Sequence, residues 1–373
     1  MKPNSSPGTG TVVQRQDGRW QASLMADGRR CTVYGKTRAE AARKLAELRR
    51  QASAGSLPDP GKRTVADLLD AWLEAVAPTL KPRTLADYRQ VATLHILPAL
   101  GKVRLSKVEP SQLQSLYASL QAQGKHRAAR KVHAVLHRAF TLAVLWRWLA
   151  ENPAKRVLPP VYHPGRKTLW TQEELAAFLA GTQDHWLQPL WMVALASGCR
   201  IGELLALTWQ DVDLAEGSIA IGKTGAYING TWTVSTPKTA SGYREITMPP
   251  EGVAALRHQK AQQAQWRLKA GPDWTASNLV FTGETGRPLH ASDVANAMRR
   301  LCKRLGLPPV TPHGLRHLHA SLLLREGLPV PAVSARLGHS TPAITMGVYA
   351  HAIGKGDAAA AQAISLALSG DGR

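Results

Sequence analysis

The chain is predicted to be mainly α with small β elements, a multi-domain α+β protein, and three observations carry that expectation. Apolar residues recur at helical spacing through residues 64–154 and through most of the C-terminal half. Strand-like runs are confined to the first 35 residues and to an insertion around residues 218–248. Two stretches rich in Pro, Gly and basic residues, AGSLPDPGK from Ala54 and KRVLPPVYHPGRKTL from Lys155, read as linkers. At 373 residues the chain exceeds one ordinary domain. The expected division is 1–55, a three-stranded sheet with one helix; 63–155, a helical unit; and 168–373, a mostly helical unit with a β-hairpin insertion and a C-terminal tail helix.

Each element has a local cause. Thr11 to Gln16, Trp20 to Met25 and Arg30 to Tyr34 alternate as strands, and Asp17-Gly18 and Asp27-Gly28 between them are hairpin-turn pairs. Thr37 with Glu40 three residues on forms a capping-box pattern for a helix running to about Ala52. In the second unit, Val65, Leu68, Leu69 and Trp72 share one helical face. Leu113, Leu116, Tyr117 and Leu120 share another, and Val132, Val135, Leu136, Ala139, Phe140 and Ala143 a third. Breaks are expected at LKPR (80–83) and PALGK (98–102), giving four or five helices. In the last unit, Ser218 to Ile221, Trp232 to Thr236 and Arg244 to Met248 are expected to form three short antiparallel strands, and Ala358 to Leu368 a small apolar helix.

Charge narrows the function. Lys and Arg number 47 against 26 Asp and Glu, a net charge of +21. Such an excess favours polyanions, because each neutralised phosphate releases condensed counterions. No uninterrupted apolar run approaches the roughly 18 residues of a membrane span, and the N-terminus lacks an apolar signal segment. The expectation is a soluble, cytoplasmic protein, nucleoid-associated when bound to DNA, with no membrane partner. Cys31, Cys199 and Cys302 are too scattered for a disulfide framework or a CxxC metal site. Basic side chains assigned to DNA contact are Arg15, Arg19, Arg29, Arg30 and Lys36 in the first unit. In the second they are Lys81, Arg83, Lys125, Arg130 and Lys131, within a basic set that also includes Arg127, Arg138 and Arg147. Two DNA-facing modules joined by a basic linker suggest a clamp around a duplex.

Breaking a phosphodiester requires a nucleophile, cations for the non-bridging oxygens and a proton for the leaving oxygen. Four segments offer those groups. In ALASGCRIGELLAL, Gly198 ends one helix and Arg200 begins the next, with Glu203 one turn on to orient it. In VTPHGLRHLHASLLL, Thr311 is an N-cap and Pro312 the first helical residue. His313 and Arg316 then share a face, while Leu315, Leu318 and Leu322 face the core. In RLGHSTPAITMGVYAH stand His339 and Tyr349, and in STPKTASGYREITM, Lys238 is expected at a hairpin tip. His313 and His317 at i, i+4 resemble a zinc pair, but a zinc-protease helix needs Glu where Gly314 stands, and no carboxylate cluster for Mg²⁺ is evident. No metal is expected.

Taken together and in this order, the motifs resemble the catalytic set of the tyrosine recombinases, the phage and mobile-element integrases in particular. The resemblance covers nearly the whole chain. It identifies the N-terminal unit with an arm-type DNA-binding domain, residues 64–154 with a core-binding domain and 169–360 with a catalytic domain. It implies that Arg200, Lys238, His313, Arg316, His339 and Tyr349 are the catalytic residues, with Tyr349 as nucleophile, forming a 3′-phosphotyrosine without cofactor. Gly314 stands where many relatives carry Asp, and Leu318 where Thr is frequent. The implied partners are double-stranded DNA at attachment sites and further copies of the chain, a dimer on each site and a tetramer in the synapse. The resemblance also implies that the tail helix packs in trans on a neighbouring copy, with docking in cis on its own domain as the alternative, and an accessory DNA-bending or directionality protein as a further partner. The rival expectations are a same-family resolvase of chromosome or plasmid dimers and a non-catalytic DNA-binding regulator using a helix–turn–helix-like segment at 330–345.

Overall fold

A computed structural model describes residues 10–26, 29–53, 62–162, 169–237 and 240–349, and the chain divides into two units, Met1–Pro164 and Gly165–Arg373. In the first, strands β1 (Thr11–Gln14), β2 (Trp20–Ala26) and β3 (Arg29–Gly35) form an antiparallel sheet in that order. Gly18 at φ +77° supplies the left-handed turn between β1 and β2; Asp27-Gly28 lies outside the described residues. Helix α1 (Arg38–Ser53) covers one face. Glu40 donates its N–H to Thr37 Oγ1 (3.2 Å), while its carboxylate accepts from the Lys36 N–H (2.8 Å), so the capping box closes one residue earlier than the pattern predicts. Ala22, Leu24, Ala41 and Leu45 make the small core between sheet and helix.

The helical part contains α2 (Val65–Val76), α3 (Pro82–Val91), α4 (Leu97–Leu100), α5 (Pro110–Ala122) and α6 (His126–Leu145). Thr64 and Asp67 cap α2 reciprocally. Of the three predicted apolar faces all are buried apart from Leu116, which is half-buried. Two expectations need correction. The PALGK break falls later than Pro98: that residue lies in α4, after a π turn over Ala92–Ile96 whose wider ring tolerates a residue that cannot donate an N–H, and the helix ends at Leu100, before Gly101. The second linker starts later than Lys155, because Pro153–Arg156 form a 3₁₀ turn and Ala154 and Val157 join the core. Asn152 secures that turn by donating to His137 O and Thr141 Oγ1 (both 2.9 Å) and accepting from the Ala154 N–H (2.9 Å).

The second unit begins its core at Trp170. Helices α7 (Gln172–Ala180), α8 (Gln188–Ser197) and the one-turn α9 (Ile201–Leu205) lead into strands β4 (Val212–Asp213) and β5 (Ser218–Ile221). A hairpin of β6 (Thr224–Ile228) and β7 (Thr231–Ser235) follows, then β8 (Arg244–Thr247), which pairs with β5 in a sheet of order β4-β5-β8. The second predicted strand does not join the other two: it pairs with β6, which the sequence pattern does not predict, across Asn229 (φ +49°) and Gly230 (φ +80°). Strand β6 reads weakly because Gly225 interrupts it, and Gly225 is there because a Cβ would run into the Trp232 indole. Helices α10 (Pro250–Ala270), α11 (Ala291–Arg304), α12 (Pro312–Arg325), α13 (Val330–Leu337) and α14 (Pro342–Tyr349) complete the unit. The predicted tail helix lies outside the described residues. Gly314 is accounted for by Val310, whose side chain occupies the space a Cβ would need, and Leu318 is buried in the core.

Candidate active site

Helix α8 ends because Gly198 adopts the left-handed conformation (φ +66°), which an L-residue resists. The chain then runs extended to Arg200, the N-cap of α9. Glu203 accepts from the Arg200 backbone N–H (2.9 Å) and from its guanidinium Nη1 (2.8 Å), the pairing that the RxxE spacing predicts. Glu203 is buried while the Arg200 side chain remains 43% exposed. Burial opposes the ionised carboxylate, yet the hydrogen bond and charge of Arg244, with the bonds from Arg200, hold Glu203 below its ordinary range.

Helix α12 starts as predicted: Thr311 Oγ1 accepts from the Gly314 N–H (3.2 Å) and Pro312 is the first helical residue. Its second turn delivers Arg316, only 1% exposed. Nη1 of Arg316 donates to Gly198 O (2.8 Å) and Nη2 to Leu337 O (2.7 Å). Burial, helped by the charge of Arg200, pushes its pKa down to about 10, which leaves it a cation at neutral pH. His313, one turn earlier, is exposed, and its ring meets buried His317 edge-on at 4.5 Å.

Helix α13 closes at Gly338, again left-handed (φ +67°). Terminal helix carbonyls lack intrahelical partners and carry partial negative charge. Here three arginines from three other segments take three consecutive ones: Arg244 Nε on Arg336 O (2.8 Å), Arg316 Nη2 on Leu337 O (2.7 Å) and Arg200 Nη2 on Gly338 O (3.3 Å). The next residue is His339. Its N–H donates to Ser334 O (3.1 Å) and its Nδ1 shares a hydrogen bond of 2.8 Å with Thr345 Oγ1 on α14. Burial first, and then the positive charges of Arg316, Arg200 and Arg244, depress its pKa to about 4.

Arg200, Arg316 and His339 are therefore brought together, with His313 on the same helix as Arg316. Tyr349 is the last residue of α14 and only its backbone is described. Lys238 lies outside the described residues; the tip of the described β6–β7 hairpin is Asn229-Gly230.

Sequence reading missed Arg244, Arg336 and His319. Arg336 donates to His319 Nε2 (3.2 Å), Ala196 O (3.0 Å) and Thr247 O (3.0 Å). His319 Nδ1 donates to Leu195 O (2.7 Å), which fixes the neutral tautomer, and burial, with the Arg336 charge, lowers its pKa to about 4. The available signal for Arg244 was strand alternation, which puts it on the same face of β8 as buried Ile246.

The basic residues assigned to DNA divide unevenly. Register places Arg30 and Tyr34 on the sheet face opposite α1, with Met25 and Val13, both more than half exposed. Arg30 is steadied by Ser23 Oγ (3.1 Å) and Arg15 lies 5.6 Å over the Tyr34 ring. Arg19 pairs with Asp17 (3.1 Å); Lys36 is exposed; of Arg29 only the backbone is described. Arg83 and Lys131 converge on Asp87 (3.4 and 3.6 Å), which puts the start of α3 and the first half of α6 on one basic side. Lys81 stands at the N-cap position of α3 without a side-chain cap bond, and Lys125 and Arg130 are exposed at the start of α6. Among the described residues no cluster of three or more His, Cys, Asp or Glu is placed to hold a metal, and no helix is long and apolar enough to cross a membrane.

The phage integrase family matches residues 170–354, and the SAM-like N-terminal domain of phage integrases matches residues 64–121. An integrase of Streptomyces ambofaciens is 30% identical over 323 residues, 84% of this chain and 83% of that protein. A tyrosine recombinase XerC-like protein of Caldanaerobacter subterraneus subsp. tengcongensis is 29% identical over 86% of this chain and 88% of its own. In fold, the chain is similar to the Tn1549 transposon integrase solved with transposon right end DNA (TM-score 0.67, 23% identity, 82% of this chain and 100% of that one). It is also similar in fold to a lambda integrase solved as a tetramer on a Holliday junction (TM-score 0.61, 17% identity, 90% and 94%). A chain whose two arginines and histidine meet at one helix end, and whose sequence matches these proteins along most of its length, belongs to the phage integrase family of tyrosine-type site-specific DNA recombinases.

Proposed function

We propose that this protein integrates and excises a mobile element by cleaving and rejoining DNA through a 3′-phosphotyrosine at Tyr349. The observation that carries the reading is the convergence of Arg316 and Arg200 on adjacent carbonyls, Leu337 and Gly338, immediately before His339. One phosphate laid against that turn would meet two planar cations and an imidazole, and paired guanidinium bonds suit its non-bridging oxygens. A free tyrosine ionises near ~10 and is a poor nucleophile at neutral pH. In this reading His313, exposed at the start of α12, accepts the proton and His339 donates to the phosphate. Lys238 protonates the departing 5′ oxygen. The energy of the broken bond is retained in the phosphotyrosine, so the 5′ hydroxyl can attack it and reseal the strand.

The outer face of the N-terminal sheet, carrying Arg15, Arg30 and Tyr34, and the Lys125–Lys131 side of the helical unit supply DNA-contact surfaces that support two-site binding. By analogy with the lambda integrase dimer and tetramer on DNA, the chain would act as a dimer on each site and a tetramer in the synapse. Incubation with a nicked duplex carrying the attachment site of the encoding element tests the reading. A protease-sensitive, 3′-linked adduct is expected with the natural protein and none with Tyr349→Phe, which should still bind the duplex. An adduct in that variant would refute the nucleophile assignment.

A further inference from the structure

We propose that Arg244 is a positioning residue for strand cleavage, holding Glu203 and the Arg336 carbonyl and through them setting Arg200 and the turn that carries His339. The inference rests on the reading that Arg200 and Arg316 bind the scissile phosphate.

All five N–H donors of Arg244 are consumed by the protein. Nη2 donates to Glu203 Oε2 (2.7 Å) and lies 3.7 Å from Cys199 Sγ; Nη1 donates to Gly242 O (3.2 Å) and reaches Glu203 Oε1 (3.4 Å); Nε donates to Arg336 O (2.8 Å). With every donor taken, Arg244 has no N–H left for a phosphate, whereas the Arg316 guanidinium gives Nη1 and Nη2 to one carbonyl each. Arg200 is different: it makes bonds to Glu203 and Gly338 only through single Nη donors and is 43% exposed.

Two consequences reach the reacting groups without Arg244 touching them. Glu203 is held at both oxygens, and the same oxygens receive the Arg200 backbone N–H and Nη1, so the side-chain direction of Arg200 follows from where Arg244 puts the carboxylate. The Arg336 carbonyl is the first of the three taken by arginines, so fixing it also fixes Leu337 O, Gly338 O and the start of the His339 turn. The turn packs directly on this guanidinium: a Cβ at Gly338 would stand 2.9 Å from Arg244 Nη1 and 2.7 Å from Ser241 O. A point ammonium cannot serve a carboxylate and a helix-end carbonyl on opposite sides at once.

The test uses the full chain and a nicked duplex carrying the encoding element's attachment site. It measures the single-turnover rate of adduct formation at saturating DNA and, separately, the dissociation constant for the duplex. Arg244→Gln should slow adduct formation by ~10²-fold and Arg244→Lys by ~10-fold, both with duplex affinity within ~3-fold of the natural protein. Because Glu203 directs Arg200 only where Arg244 holds it, Glu203→Gln combined with Arg244→Gln should be within ~3-fold of Arg244→Gln alone. Arg244→Lys keeps the buried charge and carries the test if the glutamine variant does not fold. A natural rate in Arg244→Lys overturns the proposal, as does a rate loss matched by equal loss of affinity, or additivity in the double variant. An adduct in Tyr349→Phe would instead refute the nucleophile assignment, whatever the Arg244 variants do.

Discussion

His339 Nδ1 lies 2.8 Å from Thr345 Oγ1, and Thr345, fully buried, stands four residues before Tyr349 on α14. Residues four apart share a helix face, so this bond ties the histidine that follows the arginine-bound turn to the helix that ends on the tyrosine. Thr345→Val keeps the shape and removes the hydroxyl. Adduct formation should slow by about 10-fold while duplex affinity is unchanged, as read by single-turnover cleavage beside a binding titration.

Arg316 spans Gly198 O and Leu337 O from a nearly sealed position. A lysine there reaches one carbonyl and strands the other. Arg316→Lys should abolish detectable adduct and lower stability by about 1–3 kcal/mol, measured by urea unfolding.

Gly198 combines φ +66° with crowding: a Cβ would stand 2.5 Å from His319 Cδ2. The left-handed conformation costs an alanine about 1–2 kcal/mol, and displacing the imidazole adds a similar amount. Gly198→Ala should therefore lose about 2–4 kcal/mol in urea unfolding, with the Arg316 contact to Gly198 O disturbed and cleavage reduced.

His319 and His339 both have pKa values depressed to about 4 from an ordinary 6.5, in each case chiefly by burial. The unfolded chain takes up these protons first, so the stability contributed by the neutral rings is complete above pH ~6.5 and is lost as pH falls toward ~4. The midpoint of thermal unfolding should drop steadily across that window, and His319→Gln should flatten the slope. A midpoint independent of pH from 7 to 4.5 would contradict the assignment.

Asn152 makes three hydrogen bonds beneath the end of α6. Asn152→Ala leaves buried partners unmet and should cost the helical unit about 1–3 kcal/mol in denaturant unfolding, without altering the chemistry of the C-terminal unit.

Much of this was readable because its causes are local. Thr311-Pro312 starts a helix and Gly198 stops one wherever such residues stand at a helix boundary, since capping and left-handed turns involve only neighbouring backbone. The apolar faces of α2, α5 and α6 followed from period alone, and Arg200 and Glu203 met because three residues span one helical turn. Weak local signals hide elements that tertiary packing supports. Gly225 hid β6 although Asn229-Gly230 marked its turn, and Pro98 looked like a break because a π turn is not written in any single residue.

The residue types, their order and their helix boundaries thus belong to the chain itself. That Arg244, Arg316 and Arg200, up to 116 positions apart by number, would occupy three successive carbonyls of one helix end was settled only by packing. The physical reason is that a buried guanidinium must satisfy its donors, and which acceptors it finds depends on elements folded against it from far along the chain.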